Sequence, residues 1–461
     1  MLTPKKALPK VYKPHVYQEK AVEWLIDRTE PANCGGAALF LDPGLGKTST
    51  TLLAFKKLKD TGKVKTMLVV APLRVAQATW PNEIDKWLNF MDLKYVVVHG
   101  KNKLENLNSN ADIYIINYEG IKWLTEQKWK GCDVLCFDEL TRMKSWKSGR
   151  VKAIKAFLPT FKRRFGLTGT PIPNGFEDIF SQVYMLDLGA RFGKAITKFK
   201  VTYFNPPTVY SRKLTLVAGA EEAILGKLSN LAFRIDAKDW LDLPEEIFNT
   251  IELELPKDLR AAYEELKAEC ITELESLDVV TAVNASALST KLRQFLSGNV
   301  YVDGEVVPVH THKVDALKEL IEDNNGSPIL VGYMYKHELV EFKKAFKQAV
   351  FIESGTAAPV LQQIIADWNA GNIPVLFGHP QAIGHGLNLQ DGPCNTIVFV
   401  SLDFNLENYL QFIKRIARQG QKQKHVIIHS IIFKDTIDEY IQTVLTGKDD
   451  VQTALLNFLR Q

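Results

Sequence analysis

LFLDPGLGKTST, Leu39 to Thr50, is the stretch on which the reading of this chain turns. An apolar run ends at Leu41, a glycine-containing loop follows, and Lys47-Thr48 opens a segment with helical spacing. A strand that passes through such a loop into a helix suits a phosphate. Gly44 and Gly46 let backbone N–H groups close around an anion, and the helix N-terminus adds positive potential. Lys47 would reach the β- and γ-phosphates of a nucleotide, and Thr48 would ligate Mg²⁺. The expected nucleotide loop is therefore Gly44, Leu45, Gly46, Lys47, Thr48 and Ser49. The full pattern asks for glycine six residues before the lysine, and Leu41 stands there. The loop is thus a variant, and a purely structural glycine turn is the bland alternative.

Outward from this loop, short apolar runs recur in two series. The first is Ala37–Leu41, Thr66–Ala71, Tyr95–Val98, Asp112–Ile116, Asp133–Phe137 and Arg164–Leu167. The second is Pro328–Gly332, Ala349–Ile352, Pro374–Phe377, Thr396–Val400 and His425–Ile432. Helical patterns such as Ser49–Leu58 and Leu361–Asn369 lie between most of them. Continuous apolar strands alternating with helices predict parallel sheets buried on both faces. The 461 residues are too many for one ordinary core and suit two domains of roughly 200 residues each. The expectation is an α/β chain of two tandem lobes, 1–240 and 241–461. The more polar, helical pattern between the series marks insertions near 181–240 and 256–300.

Asp133–Glu139 reads DVLCFDE, an apolar strand delivering Asp138 and Glu139 at its C-terminal end, where ligands bind in parallel sheets. Asp138 can hold Mg²⁺, and Glu139 can orient and deprotonate an attacking water. Such a pair after a strand is often merely solvated. Here it comes about 90 residues after the loop, which leaves room for further strands and predicts both groups on one sheet edge. Next comes GLTGTPIPN, Gly166–Asn174, whose Thr168, Gly169 and Thr170 could relay hydrogen bonds from the nucleotide; a plain loop is the alternative. In the second series, QFIKRIARQGQ spans Gln411–Gln421. On a helix Arg415 and Arg418 would share one face. Two guanidinium groups suit charge building on a γ-phosphate, although a basic solvated face is the usual meaning of such a run.

Composition adds bounds. The net charge is only +4, so the whole-chain balance does not by itself argue for nucleic acid. Between Arg191 and Lys213 six basic residues, Lys198 and Lys200 among them, interleave with Phe192, Phe199, Tyr203, Phe204 and Tyr210, with no acid. This is either a phosphate track or a core of aromatics with a solvated rim. Lys162–Arg164 is a second basic cluster, which could simply cap a strand. The five cysteines show no zinc spacing and are expected as free thiols. No apolar run approaches the ~18 residues that span a membrane, and Met1–Lys10 carries no apolar signal segment. A cytoplasmic protein is expected, in a host if the chain is viral.

Taken in order, these blocks resemble the Swi/Snf-type DNA translocases of helicase superfamily two along nearly the whole chain. Tyr17-Gln18 with Ala21–Leu25 looks like the adenine-reading segment, with Gln18 in the adenine role. DPGLGKT looks like the nucleotide loop, although Asp42-Pro43 departs from the usual acidic-Glu-Met run. Val70–Val75 with Trp80 and Glu83 looks like a block that touches the DNA backbone, through Arg74, and Asn117-Tyr118-Glu119 is similar to the next. FDELTRMK carries the acidic pair, with Leu140 and Thr141 where many members have a small residue and then His. LTGTPIPN is a close match. FRIDAKDWLDLPEE, Phe233–Glu246, resembles the Arg-rich segment before the second lobe. Leu292-Arg293-Gln294 is another hallmark. GHGLNLQ, Gly384–Gln390, looks like a block contacting DNA and nucleotide, with Gly386 and Asn388 matching. QFIKRIARQGQ matches the last block at Gln411, Arg415, Arg418, Gly420 and Gln421.

The resemblance implies two tandem RecA-like lobes that bind ATP with Mg²⁺ between them and move along duplex DNA without separating its strands. No base-reading signature is visible, so contacts to the duplex should be sequence-independent. No histone-reading module is seen either, and a compact prokaryotic or phage monomer is expected; a protein partner stays unidentified. A strand-separating DNA or RNA helicase and a non-hydrolysing, ATP-gated DNA clamp are the alternatives. Lys47, Glu139, Arg415 and Arg418, which degenerate motors typically lose, are all present.

Overall fold

A computed structural model describes residues 10–445 except 31–33, 128, 130, 170, 173–174, 207–213, 237–239, 276–289, 303, 325, 384–386 and 444. The chain divides between Leu241 and Asp242 into two compact units.

In the first unit the strands are β1 (Gly36–Leu41), β2 (Met67–Ala71), β3 (Tyr95–Val97), β4 (Ile113–Asn117), β5 (Val134–Asp138), β6 (Arg163–Thr168) and β7 (Ala232–Ile235). They form one sheet in the order β3-β4-β2-β5-β6-β1-β7, and every pair is parallel. The cause is visible in β1, β2, β4, β5 and β6, whose residues are all buried. Such strands need cover on both faces, which the intervening helices supply. The order matters for function. β5, β6 and β1 are neighbours, so the segments after Asp138, Thr168 and Leu41 leave the same sheet edge side by side.

The second unit has β8 (Glu245–Leu253), β9 (Asn299–Val302), β10 (Glu305–Pro308), β11 (Ile329–Gly332), β12 (Val350–Ile352), β13 (Val375–Gly378), β14 (Thr396–Phe399) and β15 (His425–Phe433). Six of them form a second parallel sheet, β12-β13-β11-β14-β15-β8. The expected two parallel-sheet α/β lobes are therefore found. β9 and β10 make a separate antiparallel ribbon that begins where the insertion expected near 256–300 ends.

Of the basic cluster at the start of β6, Lys162 is exposed and pairs with Asp133, whereas the two arginines turn inward. Arg164 donates to the carbonyls of Leu186 (2.6 Å) and Phe161 (2.8 Å), and Arg163 to Ile26 O (2.7 Å) and Thr29 Oγ1 (2.9 Å). Both are 3% exposed, so they tie loops to the strand and offer nothing to DNA. Cys34, Cys132, Cys136 and Cys394 are free. Among the described residues no helix is long and apolar enough to cross a membrane, and no group of three or more His, Cys, Asp or Glu could hold a metal ion.

Candidate active site

The loop after β1 is shaped by two left-handed glycines, Gly44 (φ 96°) and Gly46 (φ 74°), the second capping the helix Lys47–Asp60. This is conformational space that side chains rarely adopt. A Cβ on Gly46 would also run into the amide nitrogen of Gln18. Gln18 comes from the helix Val16–Arg28, is 5% exposed and donates to Leu45 O at 3.0 Å. Its Oε1 accepts from Tyr12 Oη and His15 N, both at 2.9 Å. Gln18 thus braces the loop, and with Oε1 taken twice it has its second amide hydrogen left to offer a base. Lys47 Nζ lies on the carbonyls of Leu41 (2.9 Å) and Asp42 (3.4 Å). Burial lowers its pKa, against the pull of Glu139, Asp138 and Asp42. A phosphate would satisfy this cation better than two carbonyls do. Ser49 closes the first turn by donating to Gly46 O at 3.0 Å, and Thr48 beside it is half-buried.

Asp42, the departure from the usual run, has a partner of its own. Arg234, from β7, donates to Asp42 Oδ1 at 3.0 Å and to Phe40 O at 2.9 Å, and pairs with Asp236. The Arg-rich segment therefore braces the nucleotide loop, a link that sequence alone did not reveal.

Asp138 ends β5 and is 6% exposed; burial raises its pKa, and its Oδ2 accepts from Trp80 Nε1 at 2.7 Å. Glu139 follows in a left-handed conformation (φ 62°). For a residue with a side chain this costs about 1–3 kcal/mol, strain that collects at functional positions. Tyr118 Oη donates to Asp138 O (2.8 Å) and Glu139 O (2.9 Å) and fixes the main chain of the pair. Thr168 ends β6, fully buried, level with Phe40 of β1. A Cβ on Gly169 would lie 3.1 Å from Pro43 Cδ and 3.3 Å from Leu41 O, so the turn after β6 rests against the nucleotide loop. Thr170 lies outside the described residues.

In the second unit one expectation is corrected. The helix Leu406–Ile413 stops before Arg415, so Arg415 and Arg418 do not share a helix face. The chain continues in tight turns, Arg415 N to Phe412 O and Ile416 N to Ile413 O, which bury Ile416 and Ala417 before Gly420 (φ 97°) reverses it. Arg415 is 7% exposed and donates to the carbonyls of Gln411 and Leu387, both at 3.0 Å. Arg418 donates to Asn388 Oδ1 at 3.2 Å. Thus the two blocks carrying Asn388 and the arginines are bonded to each other. Gln411 is itself 4% exposed, its side chain donating to Glu407 Oε1 at 3.3 Å. Gly386 lies outside the described residues.

The residues expected to touch DNA separate into two groups. Tyr118 is 2% exposed and Asn117 8%, with Asn117 donating to Glu119 Oε2 at 2.8 Å. Tyr118 supports the main chain of the acidic pair, and Asn117 is turned to Glu119 within its own segment. Phe192, Phe199 and Phe204 belong to the core of the first unit, so the aromatics between Arg191 and Phe204 pack the interior. Lys200 pairs with Glu177, whereas Lys198 is exposed and Arg74 half-exposed. Arg212, Lys213 and Tyr210 lie outside the described residues.

The chain is similar to known proteins along nearly its whole length. The SNF2-related domain matches residues 17–298, and the helicase conserved C-terminal domain residues 312–420. Protein p41 of Acyrthosiphon pisum secondary endosymbiont phage 1 is 35% identical over 98% of this chain and 100% of its own length. DNA repair and recombination protein RAD54 of Oryza sativa subsp. japonica is 25% identical over 97% of this chain, which spans 52% of that longer protein. The SWI2/SNF2 ATPase core of Sulfolobus solfataricus in complex with dsDNA is similar over 96% of this chain and 93% of that one, at 21% identity and a TM-score of 0.44. With its loop lysine, acidic pair and arginine block in place, the chain belongs to the SNF2-related family of helicase-like ATPases.

Proposed function

We propose that the protein uses ATP hydrolysis to move along double-stranded DNA without reading its sequence. The observation that supports the chemistry is the convergence of the Lys47 loop, the Asp138-Glu139 pair and the Thr168-Gly169 turn on adjacent strands of one sheet edge. Lys47 binds the β- and γ-phosphates, and Gln18 meets the base with its remaining amide hydrogen. Thr48 and Asp138 would hold Mg²⁺, which supplies positive charge to the phosphate oxygens. Glu139 orients the attacking water and takes its proton. Arg418 meets charge on the departing phosphoryl group. Arg415, committed to two carbonyls, builds the turn that presents Arg418. The Thr168-Gly169 turn senses the loop. A relative named for DNA repair and recombination supports DNA as the track, and the exposed Lys198 and half-exposed Arg74 are offered to its phosphates, together with Asn388.

A triplex-displacement assay tests the motor. ATP should drive release of a third strand from a duplex whose own strands stay paired. Separation of the duplex would make the protein a strand-separating helicase. Release that does not need ATP hydrolysis would make it a clamp.

A further inference from the structure

The segment after β2 is wound as a π-helix over Val75–Thr79 and hands on directly to Trp80, the first residue of the helix Trp80–Lys86. Single π turns are rare and concentrate at functional sites. Trp80 is fully buried, and its indole N–H reaches across to Asp138 Oδ2 at 2.7 Å, a buried bond between residues 58 apart in sequence. β2 and β5 are adjacent in the sheet, which is what brings the two together. Immediately before the π turn, Leu73 is 37% exposed and Arg74 half-exposed. One short segment therefore carries exposed residues at one end and, at the other, a direct hydrogen bond to the Asp138 carboxylate, proposed above to hold Mg²⁺.

We infer that Trp80 is a positioning residue, which sets the orientation of the Asp138 carboxylate and passes to it the state of the Leu73–Thr79 turn. This rests on the duplex-DNA reading above, since DNA is what would press on that turn. Asp138 is too buried for water to replace a lost donor freely, so the indole decides where Oδ2 points. Tyr118 holds the main chain of Asp138 and Glu139 still, which leaves the side chain as the part that can be re-aimed. A π turn holds one more residue than an α turn, so relaxing Val75–Thr79 to α geometry rotates Trp80 and moves its N–H. The inference assigns coupling between track and nucleotide to a named hydrogen bond. The plainer reading, a core tryptophan whose N–H has merely found a partner, predicts no effect on metal affinity beyond that of lost stability.

The test measures Mn²⁺ binding to the full chain in the presence of ADP, with and without a mixed-sequence duplex, for the wild type and Trp80→Phe. Duplex-stimulated ATP turnover is followed in parallel. The wild type should show a duplex-dependent shift in Mn²⁺ affinity. Trp80→Phe should bind Mn²⁺ about tenfold more weakly without DNA, lose the shift, and still bind the duplex. Where Trp80→Phe does not fold, position 80 is filled with 3-benzothienylalanine, which has the shape of the indole and no N–H. A folded variant with wild-type Mn²⁺ affinity and a wild-type duplex response overturns the inference alone, the wild type being stimulated. A wild type whose turnover duplex does not raise overturns the DNA reading and the inference with it.

Discussion

Arg418→Ala is expected to lower duplex-stimulated ATP turnover by about 10³–10⁵-fold, the range for an arginine that meets transition-state charge. Duplex binding and thermal stability should stay near those of the wild type. The structure supplies the reason for separating Arg418 from Arg415. Among the described residues the Arg418 side chain has one hydrogen-bond partner, Asn388 Oδ1, at a long 3.2 Å, and its buried Nε has none. Arg415 is instead locked to Gln411 O and Leu387 O. Arg415→Ala leaves both carbonyls without that donor and should cost about 2–4 kcal/mol of stability in thermal or denaturant unfolding. If Arg418→Ala hydrolysed ATP normally but bound duplex poorly, Arg418 would be a track contact, and the basic-face reading of this block would stand.

Glu139→Gln should bind ATP as tightly as the wild type and turn it over about 10²–10⁴-fold more slowly. Glutamine keeps the shape and the hydrogen-bonding reach and removes the base. It pays the same left-handed backbone cost as glutamate at φ 62°, so the fold should be unaffected. Tyr118, which bonds the main-chain carbonyl of residue 139 and not its side chain, would hold the position as before. Equilibrium nucleotide binding and single-turnover hydrolysis separate the two effects. Turnover close to the wild-type rate would remove Glu139 from the role of base.

The sheets were legible wherever strands are buried on both faces. GAALFL of β1 and the VLCF of β5 are continuous apolar runs, and their alternation with helical patterns predicts parallel interior strands. β8 was not read as a strand, because it lies at the edge of its sheet and is exposed along much of its length. EEIFNTIEL therefore carries charge where an interior strand would carry valine. The ribbon of β9 and β10 hid for a similar reason: its two strands are only four residues each, and Glu305–Pro308 is exposed throughout.

Within the site, residue identities were readable and side-chain directions were not. The loop, the acidic pair and the arginine block follow from residue type and spacing. Tyr118 and Trp80 stand in segments whose resemblance pointed to DNA, yet both side chains turn inward to the acidic pair. A residue just past a strand, as Tyr118 is after β4, can face either way, and the π turn before Trp80 breaks the helical period that would otherwise orient it. The spacing of Arg415 and Arg418 is equally compatible with a helix and with the tight turns that replace it. What settles the matter is the burial of Ile416 and Ala417 between them.

The most direct measurement is steady-state ATP hydrolysis by the wild type and Lys47→Ala, each without nucleic acid and then with single-stranded DNA, duplex DNA and RNA. We predict strong stimulation by duplex in the wild type, and none in Lys47→Ala, which has lost the cation that binds the β- and γ-phosphates. Stimulation only by single strands or RNA, or hydrolysis unaffected by any nucleic acid, would contradict a motor that runs on duplex DNA.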